Sequence, residues 1–390
     1  MSVKPLQKIL FGSPGTGKSY KIRQIAQEEL NIEFDDNSKI LTNTVKTVFH
    51  PEYTYADFMG KLLPLTQGNN VIYKYYPGHF LRALGMAYKG LIDGNDEHYL
   101  LVIDELNRGN APAIFGTVFQ LLDREDDDWS TYEVDISEME LIGLFDAMGY
   151  QAKIQHDGNI QIDGTRFDIF IQNREDRLNF ENTEGQRVLS LLKDFRNPKI
   201  KIPSNLSILA TINTSDESIY YLDSAFKRRW DWEYIEVSTN KIYYEHIPEE
   251  IRKTSLVFDE IFEEIELDWC QCIAGVNFFI REHHQMIRRI EDKQIGWWFI
   301  KPENGQIHAN KVKDKLMFYL WDTVFIRDKR PLENLLKEII ENEKLKLITY
   351  DDFISYTIQL MIFFETIGSK LIIFSESVEI EIDESSSVGF

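Results

Sequence analysis

The sequence predicts an α/β fold in which helices cover a parallel sheet that carries a nucleotide-binding loop. Three observations lead to this prediction. Apolar strand-like runs alternate with helical runs up to about residue 124, a glycine-rich loop follows the first of these runs, and a later apolar run ends in two carboxylates. Such alternation is typical of a parallel sheet with helices on its faces. The length of 390 residues suffices for two or three domains.

The glycine-rich loop reads Gly-Ser-Pro-Gly-Thr-Gly-Lys-Ser, and it lies between the apolar run Ile9–Phe11 and the helical run Tyr20–Leu30. Glycines let the backbone N–H groups of such a loop point at phosphate oxygens, and the following helix N-terminus adds positive potential. Lys18 is expected to reach the β- and γ-phosphates, and the Ser19 hydroxyl to bind Mg²⁺. A chance match is the alternative, which the strand–loop–helix context disfavours. The predicted nucleotide-binding residues are Gly12, Ser13, Pro14, Gly15, Thr16, Gly17, Lys18, Ser19 and Tyr20.

Two further strand ends supply polar side chains. The run Tyr99–Glu105 ends in Asp104, a candidate Mg²⁺ ligand, and Glu105, a candidate general base for an attacking water. The alternative is a strand end that faces solvent. The run Leu206–Asn213 ends in an amide that could orient the same water, although an asparagine at this place is often only a turn former.

A short helix is predicted over Leu222–Trp230, and it ends in Lys227, Arg228 and Arg229. Arginine binds phosphate through a planar, permanently charged group, so Arg228 and Arg229 are candidates to complete the site of a neighbouring subunit. The alternative is a basic helix end that complements the helix dipole.

The remaining chain falls into three predicted parts. Residues 125–200 are expected to form an inserted α+β subdomain, with a helix over Ser137–Met148, a hairpin around an Asp-Gly pair and strand character over Arg166–Gln172. We therefore predict a large α/β domain over 1–240, with that insertion. A helical lid should follow over 241–367, with amphipathic helices at Glu249–Glu264 and Gly275–Glu291, and a hairpin-like segment with an acidic tail over 368–390.

Composition excludes several classes of protein. Hydrophobic residues make up 43% and charged residues 27% of the chain, as in ordinary globular proteins, and no apolar run is long enough to cross a bilayer. The first residues lead directly into a strand, so we expect no signal peptide and a cytoplasmic location. A net charge of -21 argues against general nucleic-acid binding, but a local basic ring or a basic protein partner stays open. Cys270 and Cys272 are expected to be reduced thiols in a helix.

The order of these motifs resembles the AAA+ fold, and five segments resemble the McrB-type family within it. Each is given with the family pattern that it resembles: Phe49–Phe58 (FHPSYSYEDF), Asp104–Asn110 with Ile114–Gly116 (DEINRGN and IFGE), Ile212–Asp216 (MNTAD), Leu222–Trp230 (LDxALRRRF) and, more weakly, Ile295–Phe299 (IGHSYF). This resemblance covers residues 9 to about 300 without the insertion.

The resemblance implies an NTP-hydrolysing motor of a modification-dependent restriction system. It implies Mg²⁺, GTP rather than ATP as the substrate, a hexameric ring, and a McrC-type nuclease partner that enters the ring. It also implies that Asn213 and Asp216 face the γ-phosphate, and that Arg228 and Arg229 act at a subunit interface. The alternative for Asp216 is a simple turn carboxylate. Because the phosphate loop begins at residue 12, we expect no DNA-reading domain ahead of it, so target recognition would lie on another subunit, in the insertion, or nowhere. DNA would then be reached through the partner or the pore.

Three positions depart from the family pattern. Glu217 stands where the family commonly has Arg, and Trp297 and Trp298 stand where it often has His and Ser. Two other functions compete with the restriction motor. One is a MoxR-like AAA+ ATPase that remodels a protein client, which preference for ATP would favour. The other is a non-enzymatic binding module, which the intact Lys18 and Glu105 argue against.

Overall fold

The structure is a computed structural model that describes residues 3–68, 70–155, 158–178, 181–213, 220–237, 242–259 and 264–373. The chain divides into two compact units. The first contains Met1–Phe11 and Lys18–Tyr234, and the second contains Gly12–Gly17 and Ile235–Phe390. The phosphate loop therefore groups with the second unit, although the strand before it and the helix after it belong to the first.

The first unit contains fourteen strands and eight α-helices among the described residues. The strands are β1 (Gln7–Gly12), β2 (Phe34–Asp35), β3 (Ile40–Leu41), β4 (Thr44–Val48), β5 (Gly60–Gln67), β6 (Asn70–Pro77), β7 (Tyr99–Asp104), β8 (Val134–Asp135), β9 (Ala152–Ile154), β10 (Ile160–Ile162), β11 (Thr165–Arg166), β12 (Lys199–Ile200), β13 (Leu206–Asn213) and β14 (Asp231–Tyr234). The helices are α1 (Lys18–Glu28), α2 (Tyr55–Phe58), α3 (His79–Asp93), α4 (Ala111–Phe115), α5 (Glu138–Ala147), α6 (Phe167–Glu175), α7 (Thr183–Leu192) and α8 (Ser224–Lys227), with 3-10 turns at Leu106–Arg108 and Gly116–Leu122.

The central sheet of the first unit has five strands in the order β14-β1-β13-β7-β4. β7 pairs in parallel with both β13 and β4, and β1 pairs in parallel with β14. The middle strands β7 and β13 are apolar along nearly their whole length and buried, as expected for strands covered on both faces. The strands predicted near residues 8, 45, 99 and 206 are thus confirmed, as is the α/β fold class.

Two parts of the first unit differ from the sequence-based expectation. A long hairpin, β5–β6, lies between α2 and α3, where no strand was predicted. In the inserted region the helix and the hairpin were predicted correctly, but the strand character assigned to Arg166–Gln172 is wrong, because α6 begins at Phe167. Phe167, Phe170 and Ile171 are buried at helical spacing, and packing of this face overrides the β-propensity of the run.

The second unit contains five short strands and seven α-helices among the described residues. The strands are β15 (Ile242–Tyr243), β16 (Ser255–Asp259), β17 (Glu264–Asp268), β18 (Gln306–His308) and β19 (Ile372–Ile373). The helices are α9 (Glu249–Arg252), α10 (Trp269–Glu282), α11 (Ile290–Lys293), α12 (Ala309–Lys311), α13 (Arg330–Ile340), α14 (Tyr350–Ile354) and α15 (Thr357–Gly368), with a 3-10 turn at Tyr244–His246 and π-helical turns at Val312–Met317 and Tyr319–Val324.

The amphipathic helix predicted over Glu249–Glu264 is wrong. The helix ends at Arg252, and β16 then pairs with both β17 and β18. Leu256, Val257 and Phe258 are consecutive and all buried, which an inner strand allows and a one-sided helix does not. The hairpin-like segment predicted near the C-terminus lies largely in residues 374–390, outside the described residues.

The core of the second unit is built around α10 and α15, which cross at two glycines. A Cβ on Gly275 would lie 1.9 Å from the Phe364 carbonyl oxygen, and one on Gly368 would lie 1.8 Å from that of Gln271. Cys270 and Cys272 lie on α10 as buried free thiols, as predicted, and burial raises the pKa of both. Within the described ranges, none of the helices combines the length and the apolarity that crossing a membrane requires.

Candidate nucleotide site

Three neighbouring strands of the first unit end where a nucleotide site would be expected. β1, β13 and β7 are adjacent in the sheet. Lys18 opens α1 just after β1, Asp104 ends β7 and Asn213 ends β13. In open α/β sheets, ligands bind beyond the carboxyl ends of the strands, so these three side chains belong to one candidate site.

The phosphate loop has the backbone that such a site requires. Gly15 and Gly17 adopt φ values of +76° and +86°, which favour glycine, and the Thr16 hydroxyl donates to the Ser13 carbonyl at 3.0 Å. Lys18 is 8% exposed, whereas Ser19 and Tyr20 are exposed on the first turn of α1. A nearly buried lysine at this position is suited to a ligand that supplies negative charge.

Within the second unit, the loop packs directly on Gly296–Phe299. The Gly296 N–H donates to the Pro14 carbonyl at 2.9 Å, and the Trp298 N–H donates to the Gly15 carbonyl at 2.8 Å. A Cβ on Gly296 would lie 2.3 Å from the Gly15 carbonyl oxygen, so this approach requires glycine. Both bonds use carbonyl groups of the loop as acceptors, so neither of them occupies a loop N–H group, the kind of group with which such a loop binds an anion.

The two carboxylates at the end of β7 have different partners. Asp104 accepts an ion pair from Lys46 Nζ at 2.7 Å and a hydrogen bond from the Thr211 hydroxyl at 3.2 Å. Glu105 accepts a hydrogen bond from the side-chain amide of Asn213. The two adjacent carboxylates therefore lie in different surroundings: Asp104 lies beside a cation and Glu105 lies beside an amide.

The Glu105 backbone is left-handed, with φ +56°, and its N–H donates to the Thr211 hydroxyl at 3.1 Å. This conformation is uncommon for a residue with a side chain, and it persists only where surrounding contacts hold it. It turns the chain sharply after β7 and presents the Glu105 carboxylate to Asn213.

Asn107 belongs to the site, although the sequence did not single it out. It is 3% exposed, and its side-chain amide donates to the Asn213 carbonyl at 2.9 Å. The backbone carbonyl of Asn107 accepts a hydrogen bond from the Tyr220 N–H at 2.8 Å. Asn107 therefore holds both flanks of residues 214–219, which lie outside the described residues together with the predicted site residue Asp216.

The two arginines after α8 differ in environment. Arg229 donates to the Asp123 carboxylate from Nη2 at 2.6 Å and from Nε at 3.0 Å, and its guanidinium lies 4.0 Å from the centre of the Phe119 ring. Its side chain is 9% exposed. Arg228 is exposed and has no side-chain partner among the residues that the structure describes.

The donor set fits Mg²⁺. A hydroxyl at Ser19 and a carboxylate at Asp104 are oxygen ligands, which Mg²⁺ prefers, and it takes few of them from protein and the rest from water and phosphate. The Asp104 carboxylate already accepts a cationic partner, Lys46, so positive charge is stabilised there. Clusters of three or more acidic, histidine or cysteine side chains that could bind a metal are absent from the described part of the chain, but this type of site does not need one.

Part of the chain matches a known protein family. Residues 7–144 match the AAA domain of the dynein-related subfamily. This range contains the phosphate loop, both carboxylates of β7 and Asn107, but neither Asn213 nor the arginines.

Two curated proteins are similar to this chain. Component YdiS of the type II restriction enzyme BsuMI from Bacillus subtilis is 27% identical over an alignment of 346 residues that covers 82% of this chain and 80% of that protein. The EcoKMcrB subunit of the type IV methyl-directed restriction enzyme of Escherichia coli is 30% identical over 124 residues, which are 31% of this chain and only 24% of that subunit.

Two solved structures align more loosely. One is a putative ATPase from Cytophaga hutchinsonii, with 11% identity, a TM-score of 0.26 and coverage of 72% of this chain and 58% of that one. The other is PCH-2 from C. elegans, with 11% identity, a TM-score of 0.21 and coverage of 93% and 61%. TM-scores this low do not by themselves establish a common fold.

Proposed function

Because this chain is an McrB-like AAA+ protein, we propose that it hydrolyses a nucleoside triphosphate, GTP rather than ATP. We propose that it does so as a ring that powers or switches a McrC-like nuclease in DNA restriction. The observation that carries the catalytic part is the pair formed by Glu105 and Asn213 at adjacent strand ends. A carboxylate held by an amide at these strand ends, next to the strand that leads to Lys18, is suited to take a proton from an attacking water.

In this mechanism Lys18 neutralises the β- and γ-phosphates, and the N–H groups of the loop bind their oxygens. Glu105 accepts the proton of the water, and Asn213 keeps the Glu105 carboxylate in position. Ser19 and Asp104 would hold Mg²⁺, which offsets the charge of the phosphate oxygens when it is bound. We further propose that Asp216 faces the γ-phosphate with Asn213, and that Asn107 positions them.

The arginines divide into two proposed roles. Arg229 is tied to Asp123 and Phe119 of its own subunit, which supports a structural role. Arg228 is exposed at the end of the same helix, which supports a role across a subunit interface on the nucleotide of a neighbour.

The restriction components that resemble this chain support the nuclease partner and the role in restriction, and do not favour the MoxR-like alternative. We propose a hexamer with a McrC-like nuclease that reaches DNA through the partner or the pore. We also propose the domain boundaries of the sequence analysis, with a large domain over 1–240 and a helical lid over 241–367.

Glu105→Gln tests the catalytic proposal. The variant keeps the size and a hydrogen-bonding group but loses the base, so we expect kcat for GTP to fall by about 10² to 10³, with nucleotide binding retained. Phosphate release with GTP and with ATP measures both turnover and purine preference. Glu97→Gln is a matched control, because Glu97 accepts a hydrogen bond from Tyr99 at 2.9 Å outside the site. Wild-type turnover in Glu105→Gln would contradict the assignment of the base, and faster turnover of ATP would contradict the preference for GTP.

A further inference from the structure

Lys46 forms an ion pair with Asp104, the proposed Mg²⁺ ligand at the end of β7. Its Nζ lies 2.7 Å from Asp104 Oδ2. The pair joins two adjacent strands, because Lys46 lies opposite Val102 in the pairing of β4 with β7, and Asp104 lies two residues further along β7. Side chains at such diagonal positions share a face of the sheet, and a long side chain can span the distance between them. The strand register therefore brings a cation to the proposed metal ligand.

The two oxygens of the Asp104 carboxylate have different partners. Oδ1 accepts the hydrogen bond from the Thr211 hydroxyl at 3.2 Å, and that hydroxyl also accepts one from the Glu105 N–H at 3.1 Å. Thr211 is 5% exposed, so its bond fixes Asp104 from within the sheet. Oδ2 faces Lys46, whose side chain is 56% exposed. The oxygen that does not bond to Thr211 is therefore the one that Lys46 contacts.

A metal ion at this carboxylate would need the same oxygen. Mg²⁺ takes few ligands from protein and keeps several waters, so it would bind Asp104 either directly or through one of those waters. Because Oδ1 already bonds to the buried Thr211, Oδ2 is the oxygen that can exchange its partner. An ammonium group and a divalent cation on one oxygen repel each other at short range. Lys46 must therefore release Asp104 before Mg²⁺ can bind closely there.

We propose that Lys46 is a built-in competitor of Mg²⁺ at Asp104. Without the metal, its ammonium group offsets the charge of two consecutive carboxylates, Asp104 and Glu105. Metal alone would have to displace the lysine with few protein ligands to hold it, whereas metal that arrives with a triphosphate has the phosphate oxygens as well. Lys46 thus biases the site towards joint binding of metal and nucleotide.

The exposure of the ion pair sets the size of the effect. Exposed ion pairs favour the paired state by about fivefold at most, because water and salt screen the charges. Since more than half of the Lys46 side chain is exposed, the lysine should weaken metal binding and not prevent it. A buried ion pair would be far more costly to break. An exposed lysine therefore suits a competitor that metal and nucleotide together can displace.

Mn²⁺ binding to the full chain tests this competition without turnover. Mn²⁺ prefers the same oxygen ligands as Mg²⁺, and its free form gives an electron paramagnetic resonance signal that is lost on binding. Without nucleotide, Lys46→Met should bind Mn²⁺ about fivefold more tightly than the wild type, because the variant keeps an apolar stem and loses the ammonium group. Lys46→Gln, which is neutral and polar, should show the same gain. Lys46→Arg keeps the charge and should bind like the wild type.

Lys8→Met is the matched control. Lys8 forms the corresponding diagonal ion pair with Glu233 at 2.8 Å, since it lies opposite Asp231 in the pairing of β1 with β14. This variant removes one positive charge from the same sheet and should leave Mn²⁺ binding unchanged. Asp104→Asn in the Lys46→Met chain should abolish the gain, because the competition acts through that carboxylate. Weak Mn²⁺ binding at other carboxylates is common to all these variants, so the comparison isolates Asp104.

The titration without nucleotide separates this competition from the proposed function on which it rests. Equal Mn²⁺ affinity in Lys46→Met and the wild type, or a gain that survives Asp104→Asn, would overturn the competition and leave NTP hydrolysis untouched. Weaker Mn²⁺ binding in Lys46→Met would also overturn it, since the lysine would then support the metal. A repeat with the non-hydrolysed analogues GMPPNP and AMPPNP reports on the nucleotide site. If neither analogue bound, that result would count against the proposed function alone.

Discussion

At the scale of single residues, the nucleotide site depends on groups that meet from distant parts of the chain. The sequence predicted Asp104, Glu105 and Asn213, because a strand followed by a polar side chain is a local pattern. It could not predict Lys46 and Thr211, which hold Asp104 in place, because cross-strand partners depend on the order of strands in the sheet. Asn107 was missed for the same reason, since its partners are Asn213 and Tyr220.

Substitution of Arg229 should lower stability, whereas substitution of Arg228 should lower catalytic activity. Arg229→Ala leaves a half-buried Asp123 without its cation, so we expect a loss of about 1 to 3 kcal/mol in the free energy of unfolding. Arg228→Ala should leave stability unchanged and lower kcat by about 10³ in the assembled ring. Denaturant unfolding and phosphate release measure the two effects.

Asp123→Asn is the control for the structural role, and it should reproduce the stability loss of Arg229→Ala. Mixed assemblies with wild-type subunits test the interface role of Arg228, because a subunit that lacks this side chain should inactivate the site of its neighbour. Activity in simple proportion to the wild-type fraction would show that Arg228 acts within its own subunit.

At the scale of elements, the phosphate loop and the Gly296–Phe299 segment act as one packed body of the second unit. The sequence marked Ile295–Phe299 only as a weak resemblance, and Gly296 explains why the segment matters, since its N–H meets the loop backbone. The elements that were predicted wrongly, Arg166–Gln172 and Glu249–Glu264, are runs in which burial and strand pairing decide between helix and strand. Neither factor can be read from local periodicity.

Gly296→Ala should weaken this packed body. The added Cβ would lie 2.3 Å from the Gly15 carbonyl oxygen, and overpacking of this kind costs about 1 to 3 kcal/mol. We expect weaker GTP binding by titration, together with a lower midpoint of thermal unfolding. Gly164→Ala is the control for backbone strain alone, because its φ is +76° and no atom lies within 4 Å of the added Cβ, so it should lower the thermal midpoint but leave GTP binding unchanged. An equal effect in the two variants would show that the contact with Gly15 does not matter.

His98 should make the first unit sensitive to acid. It is buried beside β13, where its Nε2 lies 2.8 Å from the Ser207 hydroxyl, and desolvation with the nearby Arg124 lowers its pKa from 6.5 to about 4. The unfolded chain therefore binds the extra proton between pH 6.5 and 4, so stability falls as the pH is lowered through this window, by about 3 kcal/mol at most.

His98→Gln removes this titration. Urea unfolding at pH 7 and pH 4.5 should show a smaller difference in the variant than in the wild type. Since other groups titrate in both proteins, the comparison between them isolates the contribution of His98. An equal change in the free energy of unfolding between the two pH values in both proteins would contradict a neutral, buried imidazole at His98.

At the scale of the whole molecule, the proposed function depends on assembly, because the proposed role of Arg228 on a neighbour's nucleotide would leave an isolated subunit incomplete. The α/β class followed from the alternation of strands and helices. The division into two units, with the phosphate loop grouped with the second, did not, because it depends on long-range contacts such as those of Gly296.

Ring formation should depend on nucleotide. With GTP and Mg²⁺, the 45.9 kDa chain should form a species of six times that mass, and a co-encoded nuclease should raise the rate of phosphate release. Mass photometry with and without nucleotide measures the assembly. Lys18→Ala is the comparison, since it removes the phosphate contact and should shift the population toward monomers. A monomer under all these conditions, with full GTP turnover, would contradict a ring motor.

The direct pairing of β7 with β13 has a practical consequence. The chain leaves the sheet after Asp104 at the carboxyl end of β7 and re-enters it at Leu206, which pairs with Tyr99 at the amino end of the same strand. The residues between them therefore form a crossover whose length does not alter the pairing of the two strands. A reporter protein inserted into the β9–β10 turn should therefore be tolerated, with the pairing of the central strands and the rate of phosphate release both preserved.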